Sequence, residues 1–181
     1  MFQLNTVGAI ALTQALLPGL LKQGKGHLIM IASMAGKIPS PGQAIYASTK
    51  FAVVGYFQSL RTELAASPLD VTVCCPGPIK FHGKGGTRDV YHGEGLVKEQ
   101  LTRSTGLDVD KVVHLIALAA EHRLGECWMA KQPILLLAYL TQYTPRIASH
   151  ILDRIGPRRA DAVKHGDGYS MDAVLGRSKS Q

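Results

Sequence analysis

Tyr46 and Lys50 form a Tyr-x-x-x-Lys pair inside "YASTKFAVVGYFQSLRTEL", and Ser33 stands thirteen residues upstream of the tyrosine. On a helix, residues four apart share one face and their side chains meet. A phenol beside an ammonium is a workable proton donor, because the positive charge stabilises the phenolate. Phenols ordinarily keep their proton until about pH 10, so such a neighbour is what makes one usable as a general acid or base near neutrality. Ser33, at the C-terminal edge of a predicted strand, could hydrogen-bond the same substrate oxygen, and such edges are where open α/β sheets place ligands. The chemistry implied is proton transfer at an oxygen undergoing reduction or oxidation. Alone, the Tyr-x-x-x-Lys spacing is a weak signal; Ser33 at a fitting distance and the two strand edges give it weight.

The elements that must hold these groups follow from periodicity and punctuation. Residues 2–23 read as a helix, with Pro18 expected to bend it and Gly24-Lys25-Gly26 ending it. Asn5, Thr6, Thr13 and Gln14 are spaced like the polar positions of an amphipathic helix, which predicts a core or interface element, and no apolar run is expected to cross a bilayer. The short apolar run from His27 to Ala32 predicts a buried parallel strand. Met34 to Gly42, with Gly36, Pro39, Pro41 and Gly42, predicts a loop. Residues 43–66 predict a second helix, on which Tyr46, Lys50, Val53, Phe57, Leu60 and Leu64 share one stripe. The pair therefore continues a buried face, which is unlike an ordinary solvated lysine. Val71 to Cys75 predicts a second buried strand ended by Pro76-Gly77-Pro78. Residues 80–106 carry six glycines with little periodicity, and a loop of that length is usually functional or disordered. Asp108 is a plausible N-cap for a helix over 109–123. Helix, strand, helix, strand, loop, helix is the order of an α/β domain with a parallel sheet.

The whole-chain figures fit that reading. The 181 residues are 46% hydrophobic and 18% charged, which suits one globular domain with a real core. The net charge is +7 and the pI about 9.5, yet the basic residues are scattered until the C-terminal quarter and no nucleic-acid motif accompanies them, so nucleic acid is not an expected partner. Cys74, Cys75 and Cys127 lack zinc or redox spacing and read as buried reduced thiols. His82, His92 and His114 lack metal-ligand spacing, and no metal is expected. Trp128 reads as core. Tyr139 and Tyr143 suit a core or a membrane-interface face equally.

Asn5 in "FQLNTVGAIALTQALLPGL", Ser33 in "GKGHLIMIASMAG", Tyr46 and Lys50, and "VTVCCPGPI" ending at Ile79 follow one another in an order that closely resembles the short-chain dehydrogenase/reductase family. The resemblance covers residues 1 to about 80. It implies a Rossmann-like, doubly wound parallel sheet and a catalytic tetrad of Asn5, Ser33, Tyr46 and Lys50. Tyr46 would be the proton donor or acceptor, Ser33 would steady the substrate oxygen, and Asn5 would hold a water of the proton relay. Tyr46, Lys50, Pro76, Gly77 and Ile79 would contact the nicotinamide and its ribose. The segment "ECWMAKQPILLLAYLTQYTPRIASHILDRIGPRRADAVKHG" resembles one branch of that family, similar to NADPH-preferring reductases of steroids, retinoids and other carbonyls at the endoplasmic reticulum membrane. That implies NADP(H) over NAD(H), a small lipophilic carbonyl or alcohol as substrate, and attachment to the endoplasmic reticulum, with a cytoplasmic location as the alternative.

Two departures shape the expectation. The family places Thr or Ser two residues after Ile79, and Phe81 stands there instead. No T-G-x-x-x-G-x-G turn is present, and "GKGG" at Gly83 to Gly86 cannot replace the pyrophosphate cradle because it follows no strand and opens no helix. The expected architecture is the C-terminal half of such a domain over residues 1–130, with a helical extension and tail over 131–181. It is expected to fold poorly alone or to associate, through an exposed sheet edge and through helices 2–23 and 43–66, which build the family's dimer contact. Two readings stay open: an oxidoreductase recorded in truncated form, with the turn encoded upstream in frame, or an inactive short product that serves as an interaction module. The loop 80–106 is expected to be a substrate lid. In the tail, Ile147, Ile151 and Ile155 form an apolar ridge among Arg146, Arg154, Arg158 and Arg159, fit either to lie on an anionic membrane surface or to pack on the domain.

Overall fold

The computed structural model describes residues 1–80 and 106–164. A π-helical turn, Gln3–Val7, runs into α1 (Gly8–Gln23), followed by β1 (Gly26–Ile31), a 3-10 turn (Met34–Gly36) and α2 (Ala44–Glu63). Then come β2 (Leu69–Pro76), β3 (Ile79–Lys80), β4 (Leu107–Asp108), α3 (Val109–Glu121), β5 (Glu126–Met129), α4 (Ile134–Tyr143) and α5 (Pro145–Lys164). Among the described residues, β1, β2 and β5 form a parallel sheet in the order β1-β2-β5, and β3 pairs with β4.

The two faces of β2 explain the layering. Val71, Val73 and Cys75 join Val53, Phe57 and Leu60 of α2, and Leu64 at its C-cap, in one buried cluster. Cys74, on the opposite face, packs with Val112 and Ala119 of α3 and Met129 of β5. A strand buried on both sides reads as a near-continuous apolar run, and β2 reads so from Val71 to Cys75 apart from Thr72, whose hydroxyl bonds the His27 ring. Phe57 lies almost wholly inside the α2 cluster, its ring edge-on to Tyr56 at 5.2 Å. Phe57→Ala is expected to cost about 3–5 kcal/mol by urea denaturation, a large share of the ~5–15 kcal/mol that holds an ordinary domain.

β1 is covered on one side only. Leu28 and Met30 pack against the α2 cluster, whereas Ile29 and Ile31 are 43% and 42% exposed. A parallel strand is normally covered on both faces, so β1 presents an unsheltered edge and an unsheltered apolar face.

The first helix departs from its expected orientation. Its buried residues are Thr6 and Thr13, while Leu4, Leu12 and Leu16 point outward. Thr6 Oγ1 donates to the Thr49 carbonyl at 3.2 Å, and Thr13 Oγ1 donates to the Ala9 carbonyl at 2.8 Å. Thr6 and Thr13 therefore lie inward and Leu4, Leu12 and Leu16 outward, while Leu17 and Leu20 pack on the core; Thr6 finds its acceptor on α2 and Thr13 in its own helix. Pro18 does not interrupt the helix, which closes at Gly24 in the left-handed conformation (φ 71°). The continuous helix Gln3–Gln23 is, by length and composition, long and apolar enough to cross a membrane, which corrects the expectation that no run is.

The other differences are local. The segment from Met34 to Gly42 contains the 3-10 turn, and β5, β3 and β4 were not expected from periodicity. Asp108 is the N-cap of α3, its Oδ1 accepting the Asp110 N–H at 3.0 Å. Phe81, the glycines of "GKGG", His82, His92 and most of the expected substrate lid lie outside the described residues.

Candidate active site

The site sits where β1 ends and α2 begins. Lys50 Nζ lies 5.8 Å from the centre of the Tyr46 ring and donates to the Ile31 carbonyl, the last residue of β1, at 3.5 Å. One helical turn thus brings the phenol and the ammonium together, and the amine reaches back to the strand end. Both residues are half-buried. Burial lowers the Lys50 pKa, with the neighbouring Cys75 opposing that shift.

That shift has a consequence for stability. The folded-state pKa of Lys50 lies below its unfolded value, so the charged amine is disfavoured in the fold at neutral pH. Stability rises with pH through the window between the two values. Lys50→Met removes the cost, so at pH 7 this variant is expected to melt at or above the wild-type temperature. The difference should close as the pH approaches 10.5. Circular dichroism melts at pH 7 and pH 10.5 check both parts.

Gly36 sets how closely the Ser33 turn approaches the helix. A Cβ there would stand 2.7 Å from the Lys50 carbonyl oxygen and 3.0 Å from Val54 Cγ2, so the turn rests backbone to backbone on the residue that carries the amine. Ser33 itself is extended (φ −170°) and caps the turn, its Oγ accepting the Ala35 N–H at 3.1 Å. Ser33 reaches the pair through this shared backbone; its hydroxyl is engaged with its own turn.

Asn5 joins by another route. Its Nδ2 donates to Thr49 Oγ1 at 3.2 Å, and that hydroxyl donates to the Tyr46 carbonyl at 2.7 Å. Asn5, Thr49 and Tyr46 form one chain, and Thr49, fully buried, is a link the sequence reading missed. Its signal was available: a polar residue on α2 at the same helical face as Val53.

Below the turn lies Cys75, wholly buried, with the Ser33 backbone N–H beside its sulfur. Burial first, then the Glu126 carboxylate, push its thiol up to about 12, against the partial relief of Lys37. Cys74 is pushed to about 11, by burial and then by Cys127. All three cysteines are free, and thiols held protonated in this way are poor nucleophiles.

The end of β2 forms the second wall. Pro76 is buried and pairs in register with Met129. Gly77 N–H donates to the Met129 carbonyl at 2.7 Å, and a Cβ on Gly77 would stand 2.9 Å from Ala130 Cβ. Ile79 starts the short β3. Tyr46, Lys50 and the Ser33 turn are brought together; Pro76, Gly77 and Ile79 line the neighbouring strand end and share no hydrogen bond with them among the described residues. None of the described His, Cys, Asp and Glu residues cluster in a metal-binding set.

Comparison with known proteins now gives this arrangement a family. Residues 1–89 match the family described as short chain dehydrogenase. Human dehydrogenase/reductase SDR family member 7 is 30% identical over 175 residues, covering 92% of this chain and 49% of the relative. The chain spans about half the length of the curated relatives it matches. Among solved structures, a short chain dehydrogenase from Burkholderia cenocepacia, in complex with NADP, superposes with a TM-score of 0.64 at 20% identity, over 84% of this chain and 56% of the other. A short chain dehydrogenase/reductase from Burkholderia phymatum, in complex with NAD, also gives 0.64 at 20% identity, over 81% and 57%. At that identity the two structures speak for the fold. The sequence matches show that this chain belongs to the short-chain dehydrogenase/reductase family.

Proposed function

We propose that this chain supplies the proton-transfer half of an NADP(H)-dependent oxidoreductase acting on a small lipophilic carbonyl or alcohol. The observation that carries the reading is the half-buried Lys50 amine, held between the Tyr46 ring and the end of β1. The residues present fit one end of a nicotinamide cofactor. Among the described residues Lys50 Nζ makes one long hydrogen bond, to Ile31, and an ammonium has three donors, so it can also bind a ribose diol. Pro76, Gly77 and Ile79 would border the nicotinamide ring. The sequence holds no glycine-rich pyrophosphate turn, so a phosphate grip must come from elsewhere.

When bound, the cofactor supplies or takes the hydride. Tyr46 Oη gives its proton to the carbonyl oxygen as that oxygen becomes an alkoxide, and takes it back in the oxidative direction. Lys50 offsets the negative charge left on the phenol. Ser33 Oγ, freed from Ala35 or sharing with it, donates to the same substrate oxygen. Asn5 and Thr49 fix the helix turn that carries Tyr46, and Asn5 would hold the relay water.

NADP(H) is preferred over NAD(H) in this reading, on the strength of the SDR family member 7 likeness. Residues 1–130 would be the catalytic part and 131–181 an extension. That extension would meet the endoplasmic reticulum membrane through Tyr139, Tyr143, Ile147 and Ile151, all exposed and flanked by the exposed Arg146 and Arg154. Exposed Leu12 and Leu16 of α1, with Ile45 and Phe51 of α2, support a homodimer through those helices.

The test is NADPH oxidation against a panel of steroid, retinoid and aromatic ketones, with NADH run in parallel. Turnover of at least one ketone, faster with NADPH, is expected in any assembly of this chain that binds the cofactor. An assembly that binds NADPH saturably and reduces none of them overturns the reading. The second reading, an inactive interaction module, draws on the uncovered β1 face and the outward leucines of α1; it gains if the chain associates tightly and binds no nicotinamide cofactor.

A further inference from the structure

Lys37 and Glu126 form a mostly buried ion pair that the proposed chemistry does not use. Lys37 Nζ stands 3.0 Å from Glu126 Oε1, with the two side chains 13% and 22% exposed. Gln58 Nε2 of α2 and Trp128 Nε1 of β5 both donate to the same carboxylate. The Lys37 ammonium also lies 5.2 Å from the centre of the Trp128 ring, within cation–π range.

As a stabilising device such a pair is a poor choice. Desolvation offsets most of the Coulomb attraction, and an apolar replacement of similar volume is often neutral or better. As a locator it is effective, because the Glu126 carboxylate, held by Lys37, Gln58 and Trp128, has one place to sit. What it locates is the Ser33 turn. Gly36 N–H donates to the Ser33 carbonyl at 2.9 Å and Lys37 N–H to the Met34 carbonyl at 2.9 Å. Ser33 and Lys37 are therefore the two ends of one rigid turn, whose middle rests on the Lys50 backbone at Gly36.

We propose that Lys37, clamped by the Trp128 ring and by a Glu126 carboxylate that Gln58 holds in turn, is a positioning residue that fixes Ser33 relative to Lys50 and Tyr46. The proposal rests on the relay reading above, since it names what holds that relay in register. Without the clamp the turn keeps its own hydrogen bonds but loses its anchor to β5 and α2. Its opening then becomes a local event, separate from global unfolding.

The test is amide hydrogen exchange by NMR on the full chain, without cofactor or substrate. Lys37→Met is expected to speed exchange at Ala35 and Gly36 by at least tenfold, with Val71 and Val73 of β2 within twofold of wild type. Lys37→Arg, which keeps the charge and the reach, should restore Ala35 and Gly36 to within threefold. Glu126→Gln keeps the volume and an acceptor for Trp128, so it should reproduce the local pattern even where Lys37→Met fails to fold. Trp128 is the single tryptophan, and its emission should shift in Lys37→Met and Glu126→Gln but not in Lys37→Arg. Exchange at Ala35 and Gly36 within twofold of wild type in Glu126→Gln, or faster exchange of equal size throughout β2, overturns the proposal. In an assembly that turns over, Lys37→Met and Glu126→Gln should lower kcat at least tenfold with KM within threefold, and Lys37→Arg should not. Absence of turnover in wild type would fault the relay reading and leave the exchange result standing.

Discussion

Tyr46→Phe is expected to lower ketone reduction by about 10²–10⁴-fold, the range for losing one positioned general acid. The substitution removes one oxygen and keeps the ring, so the packing around it is conserved. Tyr46 is only half-buried, and its backbone carbonyl, not its hydroxyl, takes the Thr49 hydrogen bond. The melting temperature should therefore stay within a few degrees of wild type. The loss should fall on kcat, because a proton is delivered only as charge develops on the substrate oxygen, and an interaction made in the transition state alone moves kcat rather than KM. Initial rates at saturating NADPH, across a range of ketone concentrations, separate the two.

The second large effect belongs to Gly36→Ala. The new methyl would face the Lys50 carbonyl oxygen at 2.7 Å and its carbon at 2.8 Å, and both are backbone atoms that cannot swing aside. Either the 3-10 turn lifts off α2 or the helix shifts, and overpacking of this kind typically costs about 1–3 kcal/mol. Because the atoms displaced belong to Lys50, activity should fall further than stability: at least tenfold in kcat under conditions where the variant is still fully folded. Denaturant titration gives the first number and initial rates give the second. A variant that melts normally and turns over normally would mean that the turn does not need this approach.

Much of this architecture was legible in the chain. The buried stripe of Val53, Phe57, Leu60 and Leu64 follows a 3.6-residue period, and the structure buries all four. Tyr46 and Lys50 fall on the continuation of that stripe, so their meeting was legible too. What escaped was set by tertiary partners. β5 is four residues long, too short for periodicity to distinguish from a loop. Asn5 and Thr6 of the first turn face inward because they bond Thr49, and no window of the first helix alone contains that acceptor. Lys37 and Glu126 are 89 positions apart in the chain and 3.0 Å apart in the fold; only the register of β2 against β5 brings them together. That Ser33 Oγ also accepts the Ala35 N–H, as short polar side chains commonly do when capping a turn, was not expected from the sequence.

The central claim is that Ser33 and Tyr46 act on a single oxygen, and a double-mutant cycle tests it most directly. kcat/KM for ketone reduction is measured for wild type, Ser33→Ala, Tyr46→Phe and the double variant in one assembly that binds NADPH. Groups that work as a unit are strongly non-additive, so the double variant should fall within about tenfold of Tyr46→Phe alone. Losses that multiply, or a Tyr46→Phe variant as active as wild type, would contradict the account.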